Sequence, residues 1–145
     1  METLELHRGR LIDHIQLVVR DLAAAERFYT AVLDVLGVPL GGREDGLFWA
    51  DELVVSSADS PAALGELTGR QHLAFQANNP EQVDRFYRAA LANGGTDNGA
   101  PGDRDYHPGY YAAFVLDPEG NNIEAVYHGE ANRSAASVHI TFDAD

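Results

Sequence analysis

The spacing of apolar positions passes from two residues to about 3.6 and back to two, and the chain makes that passage twice. Residues Ile12 to Val19 alternate as a half-buried strand does, with Ile15, Leu17 and Val19 on one face and His14, Gln16 and Val18 on the other. Asp21 then offers an N-cap, and Leu22, Ala25, Tyr29, Val32, Leu33 and Leu36 recur at helical spacing until Gly37 stops the helix. Short strands are expected at Val38 to Gly42, Leu47 to Ala50 and Leu53 to Ser57, separated by Gly41-Gly42 and Asp45-Gly46. The pattern restarts at His72, with a strand to Ala77, a cap at Asn79-Pro80 and a helix whose buried stripe is Val83, Phe86, Tyr87, Ala90 and Leu91. Strands at Tyr110 to Leu116 and Asn122 to Tyr127 flank the turn Asp117-Pro118-Glu119-Gly120-Asn121. The segment Thr96 to Gly109 is rich in Gly and Pro toward its end and reads as a loop over a cavity. Thr3 to His7 and Val138 to Phe142 alternate weakly, and either pair with each other at a sheet edge or form poorly ordered extensions.

The two passages are one unit written twice. At an offset of 58 without a gap, His14, Arg27, Phe28, Tyr29, Ala31, Leu33 and Gly37 meet His72, Arg85, Phe86, Tyr87, Ala89, Leu91 and Gly95. A length of 145 residues suits one core and not two, so the repeats are halves of a single domain, 1–145. The expected organisation is a βαβββ module over 11–57, a connection over 58–70, a second βαβββ module over 71–128 and a C-terminal extension over 129–145. The expected class is α+β, with the strands forming a curled eight-stranded mixed sheet around a cavity.

Composition narrows the partners. Ten basic residues, all Arg, face 23 acidic ones, and a net charge of −13 argues against nucleic acid and against an anionic membrane surface. Small molecules are the expected ligands. The absence of Lys removes Schiff-base chemistry, and the absence of Cys removes thiol nucleophiles and thiolate ligands. Any metal must therefore be held by His, Asp or Glu. No apolar run is long enough to span a membrane and no signal-like start is present, so a cytoplasmic protein is expected.

Alternation puts His14, His72 and Glu124 on strand faces away from the helices. His72 shares its face with Ala74 and Gln76, while Asn122, Glu124, Val126 and His128 lie opposite Ile123, Ala125 and Tyr127. A sheet curled with that face inward gathers two imidazoles and a carboxylate around one hollow, where a divalent cation offsets the cost of burying them. Gln16, Gln76 and Asn122 on the same face are candidates to orient a substrate. His107, Tyr110, Tyr111 and His128 are candidate catalytic groups from the loop and strand ends. His7 and His139 read as surface residues, and Arg27 and Arg85 as salt-bridging helix faces.

The stretches Ile12-Asp13-His14-Ile15, Glu26-Arg27-Phe28-Tyr29, Gln71-His72-Leu73-Ala74-Phe75 and Phe114 through Glu124 resemble the vicinal oxygen chelate superfamily, over roughly residues 11 to 128. That superfamily includes glyoxalases, extradiol dioxygenases, fosfomycin-resistance proteins and bleomycin-binding proteins. The resemblance implies a divalent metal (Fe, Mn, Zn or Ni) on His14, His72 and Glu124, with positions left open for neighbouring oxygens of a small substrate. It also implies a homodimer in which each site takes ligands from both chains. Departures from the family pattern shape the chemistry. The position of the usual fourth glyoxalase ligand falls on Val54, with Ser56 on the same face, which argues against glyoxalase I activity. Phe114 stands where extradiol dioxygenases carry a Tyr, and Gln16 where fosfomycin-resistance proteins carry a Thr. The function implied is a metal-dependent enzyme of lyase, isomerase or dioxygenase type. The alternative is a drug- or metabolite-binding protein of the bleomycin-resistance kind that binds without turnover.

Overall fold

A computed structural model describes residues 3–9, 12–61, 65, 67, 71–132, 135 and 137–143. The strand β1 (Thr3–Arg8) precedes the first module, which runs β2 (Ile15–Val19), α1 (Leu22–Val35), β3 (Gly42–Glu44), β4 (Leu47–Ala50) and β5 (Leu53–Ser57). The second runs β6 (His72–Gln76), α2 (Pro80–Ala92), β7 (Thr96–Asp97), β8 (Gly102–Asp103), β9 (Tyr111–Leu116) and β10 (Asn122–Tyr127), and β11 (Val138–Asp143) follows. Within the expected connection, 62–64, 66 and 68–70 lie outside the described residues, as do residue 11 at the start of the first expected module and 133, 134, 136, 144 and 145 of the C-terminal extension.

Both helices start where short polar side chains satisfy their orphan amides. Asp21 Oδ1 accepts from Ala24 N at 3.0 Å, and Asn79 Oδ1 accepts from Gln82 N at 2.8 Å with Pro80 in the first turn. The helices then bury one stripe each, Phe28, Tyr29 and Val32 on α1 and Val83, Phe86 and Ala90 on α2. These meet Val115, Ile123 and Ala125 of the second sheet and Leu17, Val19 and Val55 of the first in one continuous core. Gly95 permits the closest part of that contact, because a Cβ there would lie 2.8 Å from the Phe28 ring and 2.8 Å from Ala90 O.

The α+β class holds, but the strands divide between two sheets and do not form one continuous eight-stranded sheet. The first sheet has the order β2-β5-β4-β3, and the second β6-β10-β9-β7 with β8 also on β9. The modules meet through α1 against α2, and among the described residues no strand pairing joins the two sheets. Within each, the outer strand of the repeat runs parallel to the last, β2 beside β5 and β6 beside β10. The segment expected as a loop contributes the two short strands β7 and β8, both antiparallel to β9. The end strands pair in register from Thr3 opposite Asp143 to Arg8 opposite Val138, as a separate two-stranded ribbon and not at the edge of either main sheet.

The β9–β10 turn joins the modules. Buried Asp117 accepts from Glu119 N, Asn121 N and Asn121 Nδ2 at 2.8 to 2.9 Å, and from the Tyr29 hydroxyl of α1 at 2.5 Å. Glu119 reaches back to Arg20 Nη1 at 2.9 Å and Asp21 N at 3.1 Å. Asn121 Oδ1 accepts from Gln71 N at 3.1 Å, which sets β6 beside β10 where His72 begins. Among the described residues Arg27 makes no salt bridge of the expected kind. Its guanidinium donates to Ala92 O at 2.9 Å and covers a free carbonyl at the end of α2.

Candidate metal centre

On β10, Glu124 is only 3% exposed although it lies on the face turned away from the helices. The neighbouring strands set its surroundings by register: Phe114 of β9 and Ala74 of β6 stand directly opposite it, and His72 stands opposite Asn122. His72 Nε2 lies 3.2 Å from Glu124 Oε1. Its Nδ1 lies 3.0 Å from the Asn122 carbonyl oxygen, which can only accept, so Nδ1 carries the hydrogen. The neutral ring therefore presents a lone pair to a carboxylate oxygen. A nitrogen lone pair and a carboxylate oxygen facing each other at that distance are a donor set that would suit a divalent cation. Phe114 stacks on the His72 ring at 6.2 Å, and the Arg104 guanidinium lies over Phe114 at 5.4 Å.

The second carboxylate oxygen is also taken. Tyr110, just before β9, donates its hydroxyl to Glu124 Oε2. Burial, then the hydrogen bond and charge of Glu124, hold this phenol well above its ordinary pKa, so it stays a donor. His107 Nδ1 donates to Pro108 O at 2.9 Å, and His107 Nε2 faces His128 Nδ1 at 2.9 Å. Both imidazoles pack edge-on to the Tyr110 ring with centroids 5.3 Å away.

Of the three expected ligands, the chain brings together His72 and Glu124. His14 does not join them: it lies at the start of β2 in the other sheet, exposed, with Nδ1 2.7 Å from Asp13 Oδ1. Among the described residues no group of three or more His, Cys, Asp or Glu forms within one chain at metal-binding spacing. The reason is the helix-to-helix packing of the modules, which leaves each polar face on its own sheet. The donor chemistry of the half-site still fits a divalent cation, since a buried carboxylate and a tautomer-fixed imidazole nitrogen converge with no cation of the chain between them.

The remaining candidates separate. Gln16 Nε2 donates to Ser56 Oγ at 2.8 Å and Ser60 Oγ at 3.0 Å, so it is engaged by the end of β5 and the start of the connection. Asn122 Oδ1 accepts from Asn98 Nδ2 at 3.1 Å at the margin of the half-site. Gln76 and His128 line a cavity of about 730 Å³ with Asn78, Tyr127, Glu130 and Asn132 at the far ends of β6 and β10. Tyr111 turns to the opposite face, where its hydroxyl meets Asp84 of α2 at 2.7 Å. Sequence reasoning did not find Phe114 and Arg104 as a support for His72. Alternation along β9 places Phe114 opposite the helix-facing Tyr111, Ala113 and Val115, and that signal was available.

Comparison with known proteins agrees with this architecture. The model of the Glyoxalase/Bleomycin resistance protein/Dioxygenase superfamily matches residues 11–125. YqjT, an uncharacterized protein of Bacillus subtilis (strain 168), is 33% identical over 126 residues, covering 78% of this chain and 95% of that protein. A 2,2',3-trihydroxybiphenyl dioxygenase of Sphingomonas paucimobilis is 29% identical over 138 residues; the match takes in 90% of this chain but only 46% of the dioxygenase. A crystal structure of a glyoxalase/bleomycin resistance protein from Albidiferax ferrireducens T118 superposes with a TM-score of 0.68 at 32% identity, covering 80% of this chain and 98% of that one. A family enzyme from Burkholderia phytofirmans PsJN superposes with a TM-score of 0.63 at 25% identity, covering 79% and 95%. With most of its length matched by the family model, this chain belongs to the glyoxalase, bleomycin resistance protein and dioxygenase superfamily.

Proposed function

We propose that the chain is one subunit of a homodimeric, metal-dependent enzyme acting on a small molecule with neighbouring oxygens, by lyase, isomerase or dioxygenase chemistry. His72 and Glu124 of one protomer and His14 of its partner would hold a divalent cation such as Fe, Mn, Zn or Ni. Bound there, the cation supplies Lewis-acid charge at substrate oxygens, and a site with three protein ligands keeps positions open for them. The chain's own groups do the rest: Phe114 keeps the His72 ring in place, the Asn122 carbonyl fixes its tautomer, and Tyr110 holds the carboxylate. Gln76 and His128 line the neighbouring cavity, where they would orient the substrate.

The observation that supports this reading is the meeting of His72 Nε2 and Glu124 Oε1 at 3.2 Å with the ring hydrogen committed to Asn122. The dioxygenase relative supports the oxygen-chelating class. The experiment is metal analysis of purified protein beside His72→Ala and Glu124→Ala variants, after loading with each of the four metals. Stoichiometric metal in the parent and loss in both variants is expected; equal, substoichiometric metal in all three removes the reading. Turnover is separated from storage by incubating a candidate ligand with metal-loaded protein. Conversion that a Glu124→Gln variant cannot perform marks an enzyme, and unchanged recovery marks a binding protein of the bleomycin-resistance kind.

A further inference from the structure

The segment from His107 to Tyr110 is fastened to the end of β10 by three adjacent contacts. Tyr110 donates to Glu124, His107 meets His128 at 2.9 Å, and Gly109 lies against Gly129. The glycine contact is backbone on backbone. Both residues have positive φ, 86° and 83°, and a Cβ on either would stand 3.1 Å from the other's Cα. A Cβ on either would press on the other's backbone by a few tenths of an ångström, in a backbone conformation that strains any L side chain.

The consequence falls on the carboxylate. With the phenol donating to Oε2, that oxygen has a partner, while Oε1 faces His72 Nε2. We propose that Tyr110, seated by the Gly109–Gly129 and His107–His128 contacts, is a positioning residue that makes Glu124 a one-oxygen metal ligand through Oε1. The strand position where extradiol relatives carry a Tyr is occupied by Phe114, so the hydroxyl comes from the preceding segment, at a different angle. A carboxylate held to one oxygen occupies one coordination position instead of two, which leaves a further position for substrate oxygen. This inference rests on the metal-site reading above.

The test uses Co(II) alone as the probe, because its visible absorption reports coordination number. Tyr110→Phe keeps the ring packing and removes only the hydroxyl. Gly129→Ala keeps the hydroxyl and unseats the segment. Both variants are expected to bind Co(II) about tenfold more weakly than the parent and to show the same altered absorption spectrum, as the second oxygen enters the coordination shell. Parent-like affinity and spectrum in Tyr110→Phe, beside lost binding in His72→Ala, overturn the positioning role and leave the metal site standing. Binding undiminished in His72→Ala as well overturns the metal reading, and this inference with it.

Discussion

The Tyr29 hydroxyl of α1 and the Asp117 carboxylate of the β9–β10 turn meet at 2.5 Å in a fully buried setting, and they belong to different halves of the repeat. Removing the hydroxyl leaves one carboxylate oxygen short of a donor in a place water does not reach. Tyr29→Phe is therefore expected to lower unfolding stability by ~1–3 kcal/mol. Asp117→Ala is expected to cost more, because it also strands Glu119 N, Asn121 N and the Asn121 amide. Urea midpoints at constant m-value check both.

The proposed shared site makes a prediction about mixed dimers. His14→Ala and Glu124→Ala homodimers should each fail to retain metal. A heterodimer carrying one of each has one site with both defects and one with none. Equal mixing with subunit exchange should thus restore metal to about a quarter of all sites. No restoration, with exchange verified by mass, would place all ligands of each site in a single chain.

Alkaline pH should weaken the fold. The hydrogen bond to Asp84, with burial second, pushes the Tyr111 phenol up to about 12. The folded chain thus holds a proton that the unfolded chain releases near the ordinary tyrosine value of about 10. Stability from this group is complete below that value and is lost as pH rises through the interval to about 12. Burial raises Tyr29 in the same direction. Thermal midpoints across the interval should fall less steeply for Tyr111→Phe than for the parent.

Arg27 offers a local test. Its guanidinium covers the Ala92 carbonyl at the end of α2, where positive charge also favours the helix dipole. Arg27→Gln should cost about 0.5 kcal/mol overall. It should also speed amide hydrogen exchange in the last turn of α2 more than in α1.

Much of the scaffold was legible because local chemistry specified it. Asp21 and Asn79 cap the helices they were expected to cap, and alternation along β6 and β10 put His72 and Glu124 on one face. The division into two sheets was not legible, because it depends on how α1 meets α2, which no spacing within either module encodes. The short strands β7 and β8 were hidden by Gly and Pro at Gly99 to Gly102, where pairing with β9 overrides local preference. Tyr111 was readable and was misread: counting by twos along β9 sets it with Ala113 and Val115 toward the helices. The Tyr110 contact to Glu124 has only faint traces in sequence, since it depends on two glycines twenty residues apart, Gly109 and Gly129, meeting in space.

The turn from Asp117 to Asn121 also bears on how the two halves fit each other. Tyr29 lies inside and answers to Asp117, whereas Tyr87, its counterpart in the repeat, has its phenol pKa raised by the Asp97 carboxylate. At this contact the halves are thus complementary and not interchangeable. Without the second half the Tyr29 phenol would lose the Asp117 acceptor, and without the first half Asp117 would keep only the donors of its own turn.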